Sequence, residues 1–206
     1  LIGDPDSLGT ASGLGTVSGQ VWLDVNRNGT RDHTGIRQED IAIELAAMGP
    51  VVLQRNDDGS SDLQNFGFTV ELCGSSYTQF YINNNGNITF NGPVGIYTPE
   101  GFPQATVRPM IAPFWADVDT RAPGSGEVHM TTGTSSRGNP FVQIDWPDVG
   151  YYDTCADKLN DFSLYIEDDP NWDIVGFVYR NMEWTTGSAS GGQGGFGGSP
   201  AEIGID

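Results

Sequence analysis

Basic residues are scarce in this sequence: Lys and Arg number 9 against 27 Asp and Glu, giving a formal net charge of -18 over 206 residues. A surface this acidic repels phosphate backbones and anionic lipid heads and attracts divalent cations, so neither nucleic acid nor membrane insertion is expected. Long apolar runs are missing too, and none approaches the ~20 residues of a membrane span. Lys, Ala and Leu are few, whereas 29 Gly and 12 Pro accompany abundant Asn, Ser and Thr. That composition suits short strands and tight turns rather than helices, and the expected class is all-β. The length suffices to bury roughly 70% of the unfolded surface, so folding does not require a partner.

Cysteine is limited to Cys73 and Cys155. In an acidic, Lys-poor chain bearing glycosylation sequons, the pair is expected to form a disulfide, as secreted proteins prefer. The bridge would close a loop of about 80 residues, worth roughly 4 to 5 kcal/mol in the chain-entropy account. The sequence opens at Leu1 rather than Met, which implies a removed signal peptide or a fragment, and a secreted, extracellular or cell-surface location. Asn87-Ile-Thr89 is a candidate glycosylation sequon. A second sequon, Asn28-Gly-Thr30, overlaps a potential ligand loop, and a sugar there would remove Asn28 as a ligand.

Catalytic constellations are also wanting. His33 and His129 lie near no Ser or Cys nucleophile pattern and lack zinc-type spacing. Gly192-Gln-Gly-Gly-Phe-Gly197 spells the dinucleotide fingerprint, but it sits in a glycine run with no βαβ unit to present a helix terminus to a pyrophosphate. Asp117, Glu127, Asp145 and Asp148 are acids that an all-β acidic protein more often solvates or uses for ions than for glycoside chemistry. No enzyme is expected. Trp146, Trp172 and Trp184, with Tyr151-Tyr152, read as core residues of alternating strands rather than a sugar platform.

Residues 1–16 are polar with scattered apolar anchors, Leu1, Ile2, Leu8 and Leu14, and form an expected N-terminal arm without a core of its own. Residues 17–62 are expected to form a small β module. Within it, Asp24, Asn26, Asn28, Thr30 and Asp32 occupy alternate positions around Gly29, the spacing of a calcium loop, although Gly35 replaces the bidentate Glu at the twelfth position. Calcium is the expected cofactor. Ile41-Ala-Ile-Glu-Leu45 alternates like a strand, and Asn56-Asp-Asp-Gly-Ser-Ser-Asp62 reads as a solvated acidic turn at a domain junction rather than a metal site. The segment Gly19-Gln-Val-Trp22 leading into the loop resembles the opening of bacterial surface-protein B repeats.

From residue 63 onward the strands follow one another closely. Tyr77-Thr-Gln-Phe-Tyr-Ile-Asn-Asn-Asn-Gly86-Asn-Ile-Thr-Phe90 predicts a hairpin with positive φ at Gly86. Arg108-Pro-Met-Ile-Ala-Pro-Phe-Trp-Ala-Asp-Val-Asp119-Thr120 predicts extended chain, because Pro109 and Pro113 each remove a donor. Asp117 and Asp119 would then share one strand face as a possible second ion or polar site. Phe141 to Trp146, Asn160 to Glu167 and Trp172 to Tyr179 are further strands, the last two joined by the Asp168-Asp-Pro-Asn171 turn.

The Phe114-Trp-Ala-Asp-Val-Asp119 segment, with these strands, resembles the nidogen-like extracellular domain from about residue 66 to residue 206. The resemblance implies a β-sandwich of mostly antiparallel strands over residues 63–206 and a role in extracellular matrix or at the cell surface. Pro200-Ala-Glu-Ile-Gly-Ile-Asp206 matches the family's closing segment, after which family members usually continue through another strand, so Ile203 and Ile205 are expected on an open sheet edge. Two functions compete. One is a secreted structural subunit that joins copies of itself head to tail by strand addition into a filament or matrix; the other is a calcium-dependent adhesin module that binds a separate glycan or matrix protein.

Overall fold

In a computed structural model the described residues are 43–102, 109–171 and 173–206. The expected arm (Leu1, Ile2, Leu8, Leu14) and calcium loop (Asp24, Asn26, Asn28, Thr30, Asp32) lie outside them. Among the described residues eleven strands account for nearly all the regular structure: β1 (Val51–Leu53), β2 (Gln64–Leu72), β3 (Ser75–Asn83), β4 (Asn87–Thr89), β5 (Met110–Trp115), β6 (Val118–Asp119), β7 (Val128–Thr134), β8 (Pro140–Tyr151), β9 (Cys155–Asp168), β10 (Asp173–Met182) and β11 (Glu202–Ile205). Among the described residues no helix is long and apolar enough to cross a membrane.

The strands form two antiparallel sheets. One runs β1-β7-β8-β9-β10 with β6 also paired to β8; the other runs β11-β5-β4-β3-β2. Alternating side chains of β2, Phe66, Val70 and Leu72, face inward, as do Phe80 and Ile82 of β3. They meet Val142, Ile144 and Trp146 of β8 and Phe162, Leu164 and Ile166 of β9 in one core. Phe114 on β5 reaches Phe162 at 5.3 Å between ring centroids, a direct contact between the sheets. The fold is of the all-β class that composition predicts, arranged as the sandwich that the family resemblance implies.

At its centre, along β8 and β9, the wide sheet is buried on both faces. Gln143 and Asp145, on the side of β8 away from the shared core, are nonetheless buried. Residues 43–50 cover them without forming a strand. The Ala46 N–H donates to Gln143 Oε1 at 2.8 Å, and Gln143 Nε2 donates back to the Ala46 carbonyl at 3.2 Å. The strand expected over residues 41–45 is therefore absent from its described part, since the segment bonds to a side chain rather than to a neighbouring backbone. β1 pairs with β7. Residues 43–62 thus belong to the sandwich, and the boundary expected at residue 62 does not separate them from it.

Three other expectations are corrected. Cys73 and Cys155 are free thiols. Cys73 closes the turn after β2, where the neighbouring Glu71 N–H donates to the Asp173 carboxylate at 2.7 Å, at the end of the wide sheet where Asp173 pairs with Asp168. Cys155 begins the 14-residue β9 that ends at Asp168, so the full length of that strand, roughly 40 Å, intervenes. Asn87 is fully buried, with its amide accepting from Asn83 Nδ2 at 2.7 Å and donating to the Asn85 carbonyl at 3.2 Å. A glycan there has no room. Finally, Asp117 and Asp119 do not share a strand: the chain leaves β5 at Trp115 and enters the other sheet as β6 at Val118.

Trp115, Trp146 and Trp184 are buried, their indole N–H groups donating to the carbonyls of Ile96, Asn84 and Val149. These are core residues with satisfied donors. Gly86, at φ 74°, turns β3 into β4 as its sequence context predicts.

One buried acid anchors the outer face. Glu167 is inaccessible to solvent and accepts from the Arg137 guanidinium, Asn139 Nδ2 (2.8 Å), Tyr165 Oη (2.8 Å) and Ser135 Oγ (2.9 Å). Burial alone would raise its pKa, but these donors, Arg137 foremost, outweigh it and hold the carboxyl down at about 2. A carboxyl depressed in the folded state stabilises above its unfolded pKa, and that contribution is lost as pH falls from about 4.5 towards 2. Arg137→Ala is expected to cost about 2–4 kcal/mol at pH 7, the low end reflecting the partly exposed guanidinium. The gap from the parent should narrow across that acid window in urea titrations at stepped pH.

Candidate functional site

Among the described residues, the crossover between the sheets gathers three acids, Asp57, Asp58 and Asp117. Four consecutive residues of the β1–β2 connection, Asn56-Asp-Asp-Gly59, form a turn closed by the Gly59 N–H donating to Asn56 Oδ1 at 2.6 Å. Thr120 ties this turn to the crossover: its N–H and Oγ1 both donate to the Asn56 carbonyl, at 3.0 and 2.9 Å, and Oγ1 accepts from the Asn56 N–H at 2.8 Å. Asp57 and Asp58 are thereby carried to Asp117.

Asn84 and Asn85, in the β3–β4 turn, are the third side. Asn84 Nδ2 donates to the carbonyls of Asp57 (2.5 Å) and Val118 (2.6 Å). Asn85 Nδ2 donates to Asp58 Oδ1 at 2.9 Å while its Oδ1 accepts the Val118 N–H at 3.0 Å. An asparagine suits these positions because a single short side chain offers both donor and acceptor to opposed backbones.

One carboxylate oxygen from each of Asp57, Asp58 and Asp117 lies within 4.8 Å of the other two. Asp58 is exposed, Asp57 partly buried and Asp117 only 2% exposed. Asp57 Oδ1 and Asp117 Oδ2 are buried with no hydrogen-bond partner. Burial, followed by the facing acids Asp119 and Asp58, pushes the Asp57 carboxyl up to about 6. Burial, then Asp57, Asp58 and Asp119, pushes Asp117 up to about 7, against a hydrogen bond from the Ala189 N–H. Asp119 behaves oppositely. Burial would raise it, but the Arg121 side chain (2.9 and 2.6 Å), the Arg121 N–H (2.9 Å) and the Thr154 N–H (2.8 Å) hold it below the usual carboxylate range. The sequence thus located one acid of the cluster. Asp117 belongs to it, Asp119 is spent on Arg121, and Asp57 and Asp58 come from the turn that reads as a solvated junction. The missed signal was the Asn83-Asn-Asn-Gly-Asn87 run, whose amides are too many for a surface hairpin.

Gly187 packs directly on the Asp117 carboxyl, where a Cβ would overlap it. Its backbone, φ −75° and ψ 164°, is open to any residue, so the contact and not the dihedral demands glycine. Gly187→Ala is expected to destabilise by about 1–3 kcal/mol, seen as a lower urea midpoint with unchanged slope.

Residues 42–206 match the family model described as NIDO related. Alpha-tectorin of Mus musculus is 32% identical over 173 residues, covering 73% of this chain and 8% of that protein. The Gallus gallus alpha-tectorin is 31% identical over 171 residues, with the same two coverages. Nidogen of Drosophila melanogaster is 24% identical over 171 residues, covering 72% of this chain and 12% of that protein. The chain therefore spans about a tenth of the length of the curated relatives it matches. No solved structure matches it. None of these matches supports the resemblance of the N-terminal segment to bacterial surface-protein B repeats.

Proposed function

Because this chain belongs to the NIDO-related family, we propose that it is a structural module of an extracellular matrix that joins copies of itself head to tail by strand addition. Alpha-tectorin and nidogen are extracellular matrix proteins and not enzymes. A matrix role accounts for an acidic, strand-rich domain.

The observation that carries the assembly step is the position of β11. It pairs with β5 on one side and, among the described residues, with no strand on the other. Ile203 at its centre is 47% exposed and Ile205 is half-buried. Unpaired amides and carbonyls beside exposed apolar side chains are a template for an incoming strand. The arm of residues 1–16, with Leu1, Ile2, Leu8 and Leu14 spaced along polar chain, has the character of a segment that binds through main-chain hydrogen bonds and side-chain pockets. Such a contact is heterologous and propagates unless its rotation closes a ring.

Sedimentation velocity over a concentration series tests this. The parent should form large species that both Ile203→Lys and deletion of residues 1–16 reduce to monomer. Assemblies of parental size in the deleted chain would overturn strand addition by the arm. A parent that stays monomeric throughout would favour the adhesin function, in which a separate glycan or matrix protein is the partner.

A further inference from the structure

We propose that Asp57, Asp58 and Asp117 bind a calcium ion that pins the β1–β2 turn to the crossover between the sheets. Two oxygens bound to one cation at about 2.4 Å are at most about 4.8 Å apart, the separation within which all three carboxylates offer an oxygen. The stronger observation is independent of that spacing. Asp117 is 98% buried, taking its 2% exposure from the whole, and its Oδ2 has no partner. A buried carboxylate oxygen without a donor is costly and rare, and here it belongs to a side chain facing two further acids.

Protein cations do not supply the missing charge. Among the described residues the ion pair made by these three acids is that of Asp57 Oδ2 with Arg121, at 3.1 Å. Arg121 is already held by Asp119 at 2.6 Å and faces Asp153 at 3.4 Å. One guanidinium is shared by three carboxylates, and none of its pairs reaches Asp58 or Asp117.

The donors are hard oxygens, which selects magnesium or calcium over thiolate- and imidazole-seeking metals. Their placement favours calcium. The Asp58 carboxylate is tethered by Asn85 and that of Asp57 by Arg121, so the oxygens are fixed by the scaffold rather than free to assume an octahedron. Calcium tolerates irregular geometry, whereas magnesium demands near-ideal angles and keeps its waters. The three acids are other residues than those of the Asp24 to Asp32 loop, and the cation would act on the sandwich itself.

The test uses the full chain carrying Asp24→Ala, which silences that loop. Thermal melts in chelator, in calcium and in magnesium are compared, with calorimetric titration of calcium. Calcium at a hundredfold excess over Kd is expected to raise Tm by roughly 5–10 °C, and Asp117→Asn should abolish the rise. Asp58 is exposed, so Asp58→Asn keeps the fold intact and should weaken calcium affinity at least tenfold. The proposal is overturned if Asp24→Ala alone removes the calcium response, or if Asp58→Asn binds calcium as tightly as its background. An equal Tm rise with magnesium would overturn the assignment to calcium.

Discussion

Everything in this sandwich depends on how the chain passes from one sheet to the other between Trp115 and Val118. A backbone that crosses a core carries amides and carbonyls away from the ladders that would satisfy them, and each left unpaired costs as much as a lost hydrogen bond. The β3–β4 turn supplies the partners. Gly86 and Asn85 carbonyls accept from the N–H groups of Phe114 and Ala116 at 3.2 Å each, and the Asn85 side chain takes that of Val118. Asn84 binds the Val118 carbonyl with its amide and Trp146 Nε1 with its backbone carbonyl. The hairpin is thus less a connection than the socket of the crossover, which is why four asparagines are buried within five residues.

The same crossover explains what could be read in the sequence and what could not. Segments with clear alternation, such as the two arms of the Tyr77 to Phe90 hairpin, lie where their pattern puts them. Their periodicity states which face is buried, and no distant residue alters it. Pro109 and Pro113 predict extended chain, and Pro113 lies within β5, where the register with β11 shifts between Glu202 and Gly204, which face Trp115 and Ala112. What failed were statements about distance. A single strand through Asp117 and Asp119 is the natural expectation when nothing in Trp-Ala-Asp-Val announces a change of sheet. The free thiols fail for a similar reason: two cysteines imply a bond only when the fold brings them close, and β9 holds these apart.

Charge carries a parallel lesson. A net charge of -18 says that acids outnumber bases, but it does not say where the excess becomes structural. Glu167 is buried among four donors and strengthens the fold above its depressed pKa. Asp117 is as deeply buried with an oxygen facing no donor. Two carboxylates of equal burial therefore act in opposite directions, and the difference lies in Arg137, Asn139 and Tyr165, residues whose role only the fold shows.

The pairing of β11 with β5 fixes the order in which this domain can be completed. Residues 202–205 must lie against residues 111–115, so the tall apolar strand Met-Ile-Ala-Pro-Phe-Trp waits for a partner about ninety residues further along the chain, long after the local ladders of β2 with β3 and β8 with β9 have zipped. During synthesis from the N-terminus, β5 leaves the ribosome with one edge bare and stays so until residues 202–205 have followed it. The sheet edge is thus a liability of biogenesis before it is anything else, and the burden of guarding it falls on whatever attends the nascent chain.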